Sequence, residues 1–176
     1  MEHINIEIKA RSKDHGPVRQ ILESKQAEFK GLDHQIDTYF NVNSGRLKLR
    51  EGNIENFLIH YDRENKPGPK QSSIILYKSD PQSSLKELLT KALGVLTVVD
   101  KQREIYFIDN VKFHLDTVKN LGTFVEIEAI DKTGEIGREK LLEQCQAYLD
   151  LFGIEAPDLI SVSYSDLLLE QKEAKS

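Results

Sequence analysis

Ile4-Asn5-Ile6-Glu7-Ile8-Lys9-Ala10 alternates polar and apolar residues without a break. Side chains two apart share one face of a strand, so Asn5, Glu7 and Lys9 lie on one side and Ile4, Ile6, Ile8 and Ala10 on the other. The same sorting recurs at Gly45-Arg46-Leu47-Lys48-Leu49-Arg50, where Arg46, Lys48 and Arg50 oppose Leu47 and Leu49. Lys112, His114 and Asp116 oppose Val111, Phe113 and Leu115, and Phe124, Glu126 and Glu128 oppose Val125, Ile127 and Ala129. For any one stretch, an antiparallel strand with one wet face accounts for the pattern. Its repetition points further. Helices need an apolar sheet face to pack on, and helices covering the outside of a curved sheet leave the polar faces to line its interior.

Alternation and β-branched content predict eight strands, at 3–11, 35–41, 45–51, 56–63, 72–79, 96–108, 111–117 and 121–130. Asn43-Ser44-Gly45, Gly52-Asn53, Asp109-Asn110 and Asn120-Leu121-Gly122 separate them at spacings suited to antiparallel hairpins. A first helix is expected at 17–30, opening on Pro17, with Val18, Ile21, Leu22 and Phe29 on one face. Ser84-Leu85-Lys86-Glu87 reads as a capping box opening a second helix that stops at Gly94. A third, at 135–152, buries Leu141, Leu142, Cys145, Leu149 and Phe152 and ends at Gly153; a short fourth follows Ser163. Glu64 to Ser73, with Pro67-Gly68-Pro69, reads as a flexible loop. The fold class is α+β: an antiparallel eight-stranded β-tunnel with helices outside, one domain over 1–170 and a frayed tail at 171–176.

Composition bounds the rest. At 176 residues, 39% hydrophobic and 30% charged, the chain is globular rather than disordered. Its longest apolar runs, such as Leu93 to Val99, are far short of the roughly 20 residues that cross a bilayer. Met1-Glu2-His3-Ile4-Asn5 lacks the basic and apolar segments of a secretory leader, so a cytoplasmic location is expected. Cys145 is the one cysteine, which excludes an intrachain disulfide and fits a buried helix position. A net charge of -5 disfavours a general nucleic-acid or anionic-membrane surface. Any anion site is therefore local. A monomer or homodimer is expected.

Arg and Lys gathered in a lumen repel one another unless anions offset them. Glu7, Asp116, Glu126 and Glu128 can supply that charge, or hold a divalent cation that also binds phosphate oxygens. His114 reads as a general base, as a group behind the ligands, or as a hydrogen-bonded structural histidine. Gln35, Asp37 and Tyr39 share a face and read as polar lining or as scaffold; Arg46 and Lys48 reach the tunnel mouth or are solvated.

Asn5-Ile6-Glu7-Ile8-Lys9 is similar to the Glu-x-Glu-x-Lys signature of the CYTH proteins, class IV adenylate cyclases and thiamine triphosphatases built as triphosphate tunnels. Further blocks carry the resemblance in the same order over nearly the whole chain. They are Gln35-Ile36-Asp37-Thr38-Tyr39-Phe40, Gly45 to Glu51, Lys101-Gln102-Arg103-Glu104-Ile105-Tyr106, His114-Leu115-Asp116 and Leu121 to Glu128. The C-terminal blocks resemble the class IV cyclase branch most. The resemblance implies that Lys9, Arg50, Arg63, Lys78, Lys101 and Arg103 bind a triphosphate. It implies that Glu7, Asp116, Glu126 and Glu128 bind Mg2+ or Mn2+, and that Glu7, Lys9, Arg103 and Glu126 are catalytic. The implied substrate is ATP, cyclised to cyclic AMP and pyrophosphate; the alternatives are a triphosphatase for thiamine, inorganic or nucleoside triphosphate, and a polyphosphate-binding module without catalysis. Asn5 departs from the signature: it is neutral, and a second metal that relied on a carboxylate there would be held more weakly.

Overall fold

The opening alternation forms strand β1 (Glu2–Arg11), whose apolar face, Ile6, Ile8 and Ala10, is buried. Helix α1 (Gly16–Ser24) follows, then β2 (Glu28–Phe40), β3 (Arg46–Glu51), β4 (Asn56–Arg63) and β5 (Lys70–Lys78). Helix α2 (Leu85–Leu93) leads into β6 (Val95–Ile108), β7 (Val111–Val118) and β8 (Gly122–Asp131), and α3 (Arg138–Leu151) and α4 (Tyr164–Lys175) complete the chain. This computed structural model describes residues 2–175, Glu2 by its backbone alone. The strands close into a barrel in the order β1-β5-β4-β3-β2-β6-β7-β8, every neighbour antiparallel. Closure removes the sheet edges.

The apolar faces of β1, β7 and β8 point outward. Ile6, Ile8, Phe113, Leu115, Val125 and Ile127 pack there with Val18 and Leu22 of α1 and Leu141, Cys145 and Leu149 of α3. Cys145 is buried, and its Sγ donates to the Ile6 carbonyl at 3.1 Å. A second cluster lies within the barrel, where Tyr39, Ile59, Tyr61, Ile74, Val99, Val118 and Phe124 surround Tyr164. Helix α4 crosses that end of the barrel: Arg46 on β3 pairs with Asp166 at 3.1 Å, and Gln171 donates to the Asn120 carbonyl in the β7–β8 turn. The segment expected as a tail thus continues α4 to Lys175; Ser176 lies outside the described residues.

Two local expectations are corrected. The first helix does not run to residue 30: Gln26, at φ 58°, turns the chain, the Ala27 amide closes on the Leu22 carbonyl, and β2 begins at Glu28 to pair with β6 over its length. Ser84 makes no side-chain cap, and the Leu85 amide instead donates to Ser83 Oγ at 3.3 Å. No helix among the described residues is long and apolar enough to cross a membrane.

Candidate active site

The polar strand faces line a cavity of about 510 Å³ inside the barrel, a volume typical of small-molecule sites. Its rim carries the exposed Asp109, Lys132, Thr133 and Ile136. At the far end Tyr164, 3% exposed, donates its hydroxyl to Asp116 Oδ2 at 2.7 Å and lies under the Lys9 ammonium. An apolar wall, Phe57 and Ile59 of β4 with Ile74 and Leu76 of β5, faces the charged residues of the other strands.

Those charges are arranged by strand register. Arg50 lies opposite Asp37 on the β2–β3 pair, and its Nε and Nη2 each donate to that carboxylate at 2.9 Å. Lys101 Nζ donates to the same carboxylate at 2.8 Å, and Lys48 approaches to 3.3 Å. These cations hold Asp37 well below the usual carboxylate range despite its burial. Arg103 and Asp116, opposite each other on β6 and β7, form a forked pair at 2.7 Å. Arg63 donates to Glu7 at 2.7 Å. Burial, only partly offset by Glu126, lowers Lys9 to about 8, and burial lowers Lys101 as well.

Among the expected triphosphate ligands, Lys9, Arg50, Arg63, Lys101 and Arg103 line this cavity. Lys78 does not: it has the right strand parity but is the last residue of β5, exposed beyond the wall. Lys112 of β7, which the alternation placed on the polar face but which was not among the expected triphosphate ligands, also lines the cavity. So does Glu55. It belongs to the turn between β3 and β4 and accepts from Lys112 at 2.5 Å, Gln35 at 3.0 Å and Arg50 at 3.3 Å. The buried Asp33 fixes this turn by accepting from the Ile54 and Glu55 amides. Gly52 allows that approach, since a Cβ there would stand 2.7 Å from Asp33 Oδ1.

The four acids expected to hold metal separate into two kinds. Asp116 is fully buried and accepts from Arg103 and Tyr164, and Glu7 accepts from Arg63. Glu126 and Glu128, by contrast, converge with His114, one ligand atom from each lying within 4.8 Å of the others. His114 faces Glu126 across the β7–β8 pair, with Nδ1 3.8 Å from Glu126 Oε1, outside hydrogen-bond range. Burial and then the charge of Arg103 lower its pKa to about 3, so the imidazole is neutral. Asn5 donates its amide to Glu128 Oε1. Burial, reinforced by Glu126 and Glu7, raises Glu128 to about 7. Both His114 nitrogens and Asn5 Oδ1 are buried without hydrogen-bond partners. Each such atom costs about 1–3 kcal/mol, and a cation at the imidazole lone pair would relieve the penalty of that nitrogen. The donor set therefore fits a divalent ion.

Known proteins agree with this architecture. A protein of Methanocaldococcus jannaschii named "Putative adenylate cyclase" is 28% identical over 93% of this chain and 98% of its own. The solved structure of a Pyrococcus horikoshii protein superposes with a TM-score of 0.68 at 25% identity, covering 93% of this chain and 98% of that one. A Hippeastrum protein, titled as a putative adenylyl cyclase with a dominant triphosphatase activity, superposes at a TM-score of 0.61 and 14% identity, over 97% and 96%. The CYTH domain model matches residues 3–164, nearly the whole barrel with the start of α4, and the chain belongs to the CYTH family.

Proposed function

We propose that this protein is a divalent-metal-dependent enzyme acting on the phosphate chain of an organic triphosphate, and that its reaction is the cyclisation of ATP. The observation that carries the reading is a single lumen combining a row of cations, a carboxylate–imidazole cluster and an apolar wall. Arg50, Arg63 and Arg103 offer forked contacts and Lys9 and Lys101 point charges along a polyphosphate. A phosphate oxygen beside Lys9 or Lys101 raises the pKa that burial has lowered, so substrate binding completes their protonation. Phe57, Ile59, Ile74 and Leu76 receive the organic group, which inorganic triphosphate lacks.

Glu126 and Glu128, with Glu7 nearby, would hold a divalent cation, which would supply charge neutralisation at the phosphate oxygens and acidify the attacking hydroxyl. In cyclisation the ribose 3′-oxygen forms a bond to the α-phosphorus while the bond to the α,β-bridging oxygen breaks. The hydroxyl proton leaves to water, and Arg103 and Lys101 hold the charge that develops on departing pyrophosphate.

Hydrolysis of a terminal phosphate uses the same cations, and the activity named for the Hippeastrum protein makes it the second reading. Incubation with ATP, 3′-deoxy-ATP and thiamine triphosphate, each with Mg2+ or Mn2+, separates them. A cyclase releases pyrophosphate and cyclic AMP from ATP and nothing cyclic from 3′-deoxy-ATP. Orthophosphate from ATP and 3′-deoxy-ATP alike, with no cyclic nucleotide, establishes the triphosphatase. Binding without any product leaves a polyphosphate-binding module.

A further inference from the structure

We infer that His114 is itself a metal ligand, and that the lumen is consequently built for Mn2+ in preference to Mg2+. This rests on the metal-dependent reading above and names the ion. His114 is 2% exposed, and neither ring nitrogen has a hydrogen-bond partner. Both sit in a polar lumen where carboxylates and cations are otherwise matched. Histidines buried for structural reasons anchor at least one nitrogen on a carbonyl or carboxylate; this one, neutral, has both its N–H and its lone pair without a partner among the described residues, beside Glu126 and Glu128.

Ligand atoms of a common ion at bond lengths of about 2.1 Å stand about 3.0 Å apart when cis and about 4.2 Å apart when trans, so atoms that lie within 4.8 Å of one another must close by about 0.6 Å or more, a movement within reach of side-chain rotation. The neighbours favour that movement. Glu128 is steered by Asn5 at one oxygen, leaving the other available, and Glu126 is held loosely, by Lys9 at 3.8 Å and Arg103 at 3.7 Å. The cations nearest the imidazole, Arg103 and Lys112, are bound to Asp116 and Glu55, which reduces their repulsion of a metal.

The donor set then decides the ion. Mg2+ is small, dehydrates reluctantly and is served by oxygen ligands, whereas imidazole suits transition ions. Two carboxylates and a nitrogen therefore favour Mn2+, and Asn5 contributes no further charge that would compensate a bare Mg2+ site.

The test titrates the metal-free full-length protein with Mn2+, following loss of the free hexaaqua ion by electron paramagnetic resonance, and then examines the bound ion by electron spin-echo modulation. Wild type is expected to show 14N modulation from one imidazole, and His114→Ala and His114→Gln to lose it. Both variants should also bind Mn2+ about tenfold or more weakly, a loss of the size that disturbed metal ligation produces, while Mg2+ affinity, read by competition, changes less. Circular dichroism confirms that each variant is folded, and the glutamine variant keeps the site polar should the alanine variant unfold. Bound Mn2+ without 14N modulation overturns the role of His114 and leaves metal dependence intact. No loss of the free-ion signal overturns both. Equal losses for Mn2+ and Mg2+ in folded variants overturn the ion preference.

Discussion

Glu55, from the β3–β4 turn, is joined to Lys112 on β7, so one carboxylate links two walls of the barrel across the lumen. Because it also accepts from Arg50, Glu55 sits where a phosphate oxygen would. Glu55→Gln, which keeps the shape and removes the charge, is expected to tighten inorganic triphosphate binding about tenfold, close to 1.4 kcal/mol. Isothermal calorimetry measures this. Weaker binding in the variant would mean that Glu55 scaffolds the cations rather than competing for them.

The Arg103–Asp116 pair is wholly buried, so removing one partner strands a charge. Arg103→Ala is expected to cost about 3–5 kcal/mol of stability, seen in chemical denaturation. Arg103→Ala with Asp116→Ala should cost less than the sum of the single changes. Additive losses would show that the two residues are not coupled.

Tyr164→Phe removes one hydrogen bond to Asp116 and little volume. A loss of about 1–2 kcal/mol is expected, since the acceptor is charged and loses one of its donors. An unchanged melting temperature would show that the hydroxyl is dispensable.

Lys70, 1% exposed, donates to the Ile160 and Ser161 carbonyls, and burial with the charge of Arg63 brings it down to about 8. Its folded pKa lies below its unfolded value of 10.5, so the unfolded chain binds more protons between the two. Stability should therefore gain a contribution as pH rises from 8 toward 10. Lys70→Met should flatten that rise. An identical pH profile in wild type and variant would place the titration elsewhere.

A triphosphate that engages the lumen stabilises the folded chain by about 2.7 kcal/mol at a hundredfold excess over Kd. Melting in ATP or inorganic triphosphate with Mn2+ measures it. An unshifted midpoint would mean that the lumen does not take phosphate.

Period-two alternation made the barrel and its polar lumen legible, because residues such as Glu7, Lys9, Glu126 and Glu128 carry their orientation in their spacing. Partnership is another matter. Nothing local in the sequence says that Arg103 stands opposite Asp116, the register that pairs an expected metal ligand with a buried guanidinium. Lys78 shows that parity fixes the face but not the depth. Glu55 escaped notice because a glutamate in a turn reads as solvated until Asp33 is seen pinning its backbone. The end of α1 was hidden for a similar reason: Gln26 takes a left-handed conformation without the glycine that usually announces one.

With α4 laid across one end and Tyr164 seated in it, the lumen is a blind alley. On the proposed function, a triphosphate enters phosphate first, past the rim at Lys132 and Ile136, with its organic group toward Phe57 and Leu76. Traffic is then last in, first out: the fragment nearest the rim departs before the one lodged beside Lys9. For a cyclase this orders release, cyclic nucleotide ahead of pyrophosphate, and makes pyrophosphate the product that competes with incoming ATP.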